Sequence, residues 1–82
     1  MNLNEEARMK RAVADAVELV MMTGTADALK TAVQRQRRAE SSDRRWLLAS
    51  VMITELSTDL NTSECLRIIH EERARLDDEA TP

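Results

Sequence analysis

The sequence predicts an all-α fold: a small helical bundle of three to four helices, built from αα-hairpins. The chain of 82 residues contains one glycine and one proline, so the turns that a β-sheet needs are largely missing. Apolar residues recur at helical spacing along its length. The length is that of a single domain, and we therefore assign residues 1–82 to one helical unit.

The first helix is expected at about residues 4–23. Asn2 together with Glu5, or Asn4 alone, can cap its amino end. Near its carboxyl end the helix is apolar on more than one side, through Met21 and Met22, so this end is expected to be covered from two directions. Along most of the helix one face is apolar and the opposite face is charged; the apolar face holds Met9, Ala12, Val13, Ala16, Val17, Leu19 and Val20.

The second helix is expected at about residues 26–39. A very short link precedes it, in which Gly24 takes a left-handed conformation and Thr25 caps the helix. Small residues permit a close approach of neighbouring helices but contribute little free energy of burial. The arginines at the end of the helix point away from its apolar stripe, which consists mainly of small residues: Ala28, Leu29, Ala32, Val33 and Ala39.

The third helix is expected at about residues 43–57, capped by Ser41, Ser42 or Asp43. A helix that is apolar nearly all round is a buried one, so we expect this helix at the centre of the core. The small stripes of the other helices could not easily enclose it, and oligomerisation is expected to complete the bundle. Its apolar residues are Trp46, Leu47, Leu48, Ala49, Val51, Met52, Ile53 and Leu56.

The fourth helix is expected at about residues 62–79, after a capping box made by Asn61 and Glu64. Beyond Ile69 the helix is mostly charged and is expected to project or fray. Its predicted buried face consists of Cys65, Leu66, Ile68, Ile69 and Leu76.

The charge of the chain is unevenly distributed. Residues 30–45 hold six basic and two acidic residues, although the net charge of the whole chain is −3. Three interpretations of this basic run are open. In the first, the run is the solvated end of the second helix, where basic residues interact favourably with the helix dipole. In the second, it contacts acidic segments of a partner protein or of another subunit, or residues 71–79 of its own chain. In the third, it contacts the phosphates of a nucleic acid. The last is the least favoured, because the chain is acidic and no aromatic residue lies within the run.

The residue pattern does not indicate enzyme chemistry. Cys65 and His70 are the single cysteine and the single histidine, and on one helix they lie about 140° apart, so their side chains cannot meet within a subunit. We expect Cys65 to be structural and His70 to be solvated. Glycine-rich phosphate loops and zinc-binding motifs are missing from the sequence. We therefore predict a non-enzymatic protein with no cofactor and no metal.

Residues 55–69 resemble a helix-turn-helix, with Leu56, Ser57 and Leu60 before Asn61 at the turn. The pattern departs from the motif because Asn61 stands where glycine is usual and the following helix is acidic. An αα-hairpin fits this segment better.

The location and source are inferred from composition. No apolar run is long enough to span a membrane, and the first residues lack the apolar region of a secretory signal. With a single cysteine, these features favour the cytoplasm. Ten arginines against two lysines suggest a GC-rich coding genome, and with it a bacterial or phage origin.

We therefore predict a small protein-interaction module that acts as a regulator, adaptor or inhibitor, and that forms a homodimer or a larger homo-oligomer. The partner is expected to be a protein with an acidic surface. The alternative is a helix-turn-helix-like DNA-binding regulator that uses the basic stretch of residues 35–45. The candidate partner-binding residues are Arg35, Arg37, Arg38, Arg44, Arg45, Met21 and Met22.

Overall fold

A computed structural model describes residues 3–39 and 43–80 of the chain. These residues form an all-α bundle without β-strands. Its four helices are α1, Leu3–Thr23; α2, Thr25–Arg38; α3, Arg44–Ser57; and α4, Thr62–Ala80. The ranges expected from the sequence differ from these bounds by at most one residue at either end.

Gly24 alone links α1 to α2. Its φ of +88° and ψ of 162° fall in a region that glycine populates almost exclusively. Its N–H donates to the carbonyl of Val20 at 2.9 Å, and its carbonyl accepts from the N–H of Ala28 at 3.0 Å. The positive φ was expected, but the prediction that Thr25 caps α2 is wrong. A one-residue link leaves the cap position to Gly24, and Thr25 becomes the first helical residue.

Side-chain caps start α3 and α4. Asp43 accepts a hydrogen bond from the backbone N–H of Arg45 at 2.8 Å. Asn61 accepts one from the backbone N–H of Glu64 at 2.8 Å, as the sequence predicts. Among the other caps considered, Asn4 lies inside α1, and Asn2, Ser41 and Ser42 lie outside the described residues.

The centre of the fold is α2, which packs against each of the other three helices. The expectation that α3 is the buried centre is wrong: Ala49, Met52 and Leu56 are its buried residues, whereas Leu47 is 50% exposed. The physical reason is side-chain size, because a helix with a small stripe lets neighbours approach it from several directions. That stripe is fully buried and consists of Ala28, Leu29, Ala32 and Val33.

Successive helices alternate in direction. Gln36 of α2 donates to Ser50 of α3 at 2.8 Å, and Arg35 approaches Met52, so these two helices are antiparallel. Contacts near both ends of α1 and along α2 show that α1 runs parallel to α3 and that α2 runs parallel to α4. The amino ends of α1 and α3 therefore lie at the same end of the bundle as the carboxyl end of α2.

The second half of α4 is docked against α2, so the prediction that it projects or frays is wrong. Glu72 is buried and accepts a hydrogen bond from Nε2 of Gln34 at 3.0 Å. In the first half, Cys65 and Ile68 are buried as expected, but Leu66 is 50% exposed. A buried polar contact with α2 and the partly buried Leu76 hold the charged half in place. Apolar patterning detects the leucine but not the polar contact.

Candidate functional site

A cavity lined with arginines opens between α1 and the carboxyl end of α2, with α3 beneath it. Its volume is about 350 Å³. Only the packing of three helices brings together side chains that lie so far apart in the sequence. We call this cavity the arginine cleft, after the five arginines that line it: Arg8 and Arg11 of α1, Arg35 and Arg38 of α2, and Arg45 of α3.

The floor of the arginine cleft is apolar. Ala12 of α1 and Ala39, which follows α2, contribute small side chains, and Leu48, Ala49 and Met52 of α3 complete the floor. Alanine leaves space between helices that a larger residue would fill, which explains the cavity at this point. Ala12, Ala49 and Met52 are buried, so the floor is continuous with the bundle interior.

The residues that line the arginine cleft carry more positive than negative charge. Asp15 is the one acidic residue among the described lining side chains, which gives them a net charge of +4. Its Oδ1 lies 3.5 Å from Nε of Arg11. The cleft therefore joins an apolar floor to a strongly cationic rim.

Arg45 is fixed at the edge of the cleft by Asp43. Its Nη2 lies 3.0 Å from Oδ2 and its Nε lies 3.3 Å from Oδ1 of the aspartate. Hydrogen bonds from the Arg45 guanidinium hold the pKa of the Asp43 carboxyl below its ordinary value. Since Asp43 also caps α3, the same carboxylate starts the helix and positions the arginine.

Two other arginines of the cleft are not engaged in this way. Neither Arg8 nor Arg38 has a carboxylate within 4.0 Å in the part of the chain that the structure describes. Nη1 of Arg35 lies 3.8 Å from Sδ of Met52, a contact that does not neutralise its charge. Guanidinium groups stay charged in proteins and repel one another, so a bound anion would stabilise this arrangement.

The structure divides the arginines that the sequence nominated. Arg35, Arg38 and Arg45 line the cleft. Arg37 lies elsewhere and forms an ion pair with Asp77 of α4, which is the contact with residues 71–79 that the sequence left open. Nη2 of Arg44 lies 3.5 Å from Oε1 of Glu5.

Arg8 and Arg11 were missed by the sequence-based set. They occupy the charged face of α1, and this face is indistinguishable in sequence from an ordinary solvated one. The feature that could have indicated the cavity is a pair of small residues, Ala12 and Ala39, which line it together with these arginines. This signal has meaning only when α1 is known to pass the end of α2.

The nominated methionines belong to a second surface. Met21 is 83% exposed and Met22 is 73% exposed. Met21 lies beside Glu55 and Asp59 in a small cavity of about 140 Å³. From Arg8 to Met21 the helix rises by about 20 Å, so the methionines and the cleft do not form one continuous surface.

Cys65 and His70 occupy different environments. The thiol of Cys65 is buried and donates to Oγ of Ser57 at 3.0 Å, whereas His70 is exposed on α4. Among residues 3–39 and 43–80, no group of three or more histidine, cysteine, aspartate or glutamate side chains is placed to hold a metal ion.

The connection between α3 and α4 does not carry the basic residues that a helix-turn-helix would present. Glu64 lies in the first turn of α4, and Glu55 and Asp59 lie before it. The arginine cleft is formed at the opposite end of α3, where Arg45 lies in the first turn of the helix.

The described helices include none with the length and apolar character needed to cross a membrane. Comparison with protein-family models, with curated proteins and with solved structures found no match to this chain. The function is therefore argued from the geometry of its surfaces.

Proposed function

We propose that the protein is a non-enzymatic protein-binding module, and that its arginine cleft receives an acidic segment of a partner protein. One observation carries this proposal: arginines from three helices surround a single cavity with an apolar floor. A guanidinium can bind a carboxylate through two parallel hydrogen bonds, which gives geometric selectivity as well as attraction.

The cleft suits a segment that combines one apolar side chain with flanking carboxylates. A volume of about 350 Å³ accommodates a side chain of ordinary size against Leu48 and Met52. The surrounding arginines then steer the acidic partner towards the cleft and fix its orientation, so that they affect mainly the association rate.

The biological role we propose is that of a regulator, adaptor or inhibitor, which acts by occupying a surface of its partner. We place it in the cytoplasm of a bacterial cell or of a cell infected by a phage, on the basis of its composition. We also propose that the protein functions as a homodimer, because its alanine-rich core supplies little burial free energy per residue.

The test is affinity capture from the source cell followed by mass spectrometry, with two matched variants. Arg38→Glu reverses a charge in the cleft, and Arg67→Glu makes the same change on α4, where Arg67 pairs with Glu71 at 3.1 Å. We expect a partner that the wild type and Arg67→Glu retain and that Arg38→Glu loses. Full retention of every captured protein by Arg38→Glu would show that the cleft is not the binding site.

The alternative function, a DNA-binding regulator, gives a different result in a second measurement. Binding to random duplex DNA is titrated with salt. A non-specific phosphate contact weakens steeply with salt, with a slope of about −0.9 for each phosphate neutralised. We expect no measurable affinity for the duplex; a steep salt dependence that Arg38→Glu reduces would favour the alternative.

A further inference from the structure

An apolar surface separate from the arginine cleft runs along the outer side of α1 and α3. Met9, Val13 and Val51 line a groove of about 380 Å³ between these helices. Val17 is 51% exposed and Leu47 is 50% exposed, and both continue the same surface at helical spacing. We call these five residues the α1/α3 seam.

The spacing of the seam is that of a helix-packing surface. On α1 its residues recur every four positions, at 9, 13 and 17, and on α3 they recur at 47 and 51. Two neighbouring parallel helices with such stripes form a groove that can be buried against further helices. Because the core of this small chain is rich in alanine, covering the seam would add apolar burial that the monomer lacks.

We infer that a second copy of this chain covers the α1/α3 seam, packed antiparallel about a twofold axis. The charges beside the seam favour this arrangement. Glu55 and Asp59 make one end acidic, whereas at the other end Lys10 and Arg44 are balanced by Glu6 and Glu5. A parallel pair would place the acidic ends side by side, whereas an antiparallel pair places Glu55 of each copy opposite Arg44 of the other.

The existing contacts of Lys10 and Arg44 are compatible with this pairing. Nζ of Lys10 lies 4.0 Å from Glu6, and Arg44 meets Glu5 at 3.5 Å through one nitrogen. Arg44 has further N–H groups with which to meet a carboxylate of the second copy. A twofold interface uses the same patch on both copies and closes at two subunits.

The inference rests on the proposed homodimer, for which it names the interface, and it does not depend on an acidic partner. The arginine cleft lies on the other flank of α1, through Arg8 and Arg11, so a dimer formed on the seam leaves both clefts open. Failure of partner capture would therefore leave the dimer intact, and failure of dimerisation would leave each cleft available.

The test is the molar mass in solution, measured by light scattering over a wide range of concentrations. We expect the wild type to be a dimer that does not grow further. Arg44→Glu and Glu55→Arg are each expected to weaken dimerisation by about tenfold or more, since each places like charges opposite one another twice. Mixed in equal amounts, the two variants are expected to form a heterodimer, and the double variant in one chain is expected to dimerise again.

A variant within the α1/α3 seam tests the apolar contribution to dimerisation separately from the charges. Leu47→Glu changes a half-exposed side chain and is expected to give a monomer with unchanged helix content, while Arg67→Glu, outside the seam, is expected to remain a dimer. A wild type that stays monomeric at every concentration would overturn the inference. So would growth beyond the dimer, a Leu47→Glu protein that still dimerises, or charge variants that do not restore one another.

Discussion

The two sides of α2 are held by opposite kinds of contact. Towards α1 and α3 the helix buries its small apolar stripe, whose residues are fully inaccessible to solvent. Towards the second half of α4 it presents polar side chains. On that side the contacts are those of Gln34 with Glu72, Gln36 with Arg73, and Arg37 with Asp77.

This difference shows that one helix can organise a bundle in two ways. Close packing of small side chains brings α1 and α3 near to α2, and its strength comes from excluded water and dispersion. The polar side depends on hydrogen bonds and charges, most of them exposed, whose net contribution is small unless a buried group is involved. The buried group here is Glu72, and the following substitutions test the contrast.

The largest effect is expected from Leu29→Ala, on the apolar side. Leu29 is fully buried, so its truncation leaves a cavity and lowers the free energy of unfolding by about 2–5 kcal/mol. Leu66→Ala is the matched control, because Leu66 is 50% exposed and its loss should cost less than about 1 kcal/mol. Urea denaturation followed by circular dichroism measures both. Equal losses in the two variants would contradict the contrast.

Gly24→Ala tests the link that holds α1 against the apolar side of α2. The φ of +88° is unfavourable for alanine, and we expect a loss of about 1–3 kcal/mol in the free energy of unfolding. An added Cβ meets no atom within 4 Å, so the cost arises from the backbone and not from a clash. Thermal unfolding checks this expectation; a variant as stable as the wild type would show that the link relaxes to another conformation.

Glu72→Gln tests the buried group on the polar side. Its pKa is held below the ordinary value of 4.5, first by a hydrogen bond from Arg75 and then by one from Gln34, against the opposing effect of burial. Loss of the charge is expected to lower the free energy of unfolding by about 1 kcal/mol at neutral pH.

The pH dependence of this effect follows from the sign of the shift. Because the folded state has the lower pKa, the advantage of the wild type is fully present above pH 4.5, the ordinary value, and is lost as the pH falls through the folded pKa. Urea denaturation of Glu72→Gln and wild type at neutral and acid pH measures it. If the difference in stability between Glu72→Gln and wild type did not change with pH, the stabilisation could not be assigned to the charge of Glu72.

The smallest effect is expected from Asp77→Ala. Arg37 and Asp77 are 57% and 55% exposed, so their ion pair is screened by solvent. The free energy of unfolding should change by less than about 0.5 kcal/mol, as measured by urea denaturation. A larger loss would mean that Asp77 holds the end of α4 more strongly than an exposed contact allows.

The elements of the fold were predictable because their signals are local. Asp43, Asn61 and the single Gly24 mark the helix ends, and helical periodicity marks what lies between them. The placement of the helices was not predictable in this way. Large residues such as Leu47 and Leu66 suggest burial, yet small residues decided which helix could have three neighbours.

The candidate site was predictable only in part, for a related reason. Arg35, Arg38 and Arg45 belong to a basic run that stands out in the sequence. Arg8 and Arg11 line the same cleft because of the way α1 packs in the bundle. The sequence of a charged helical face does not indicate which residues lie next to it in the fold. The same limit applies to Glu72, whose burial depends on a glutamine 38 positions away.

The docking of α4 mainly on α2 has a consequence for hydrogen exchange. The half of α4 beyond Glu72 can detach while α1, α2 and α3 keep their mutual contacts, because it is held mainly by polar contacts with α2, to which the partly buried Leu76 adds apolar packing against the core. Its backbone amides should therefore exchange with solvent through a sub-global opening, well before those of the α2 stripe, which exchange only on global unfolding. The chain would then consist of two cooperative units of unequal stability, with their boundary inside a continuous helix.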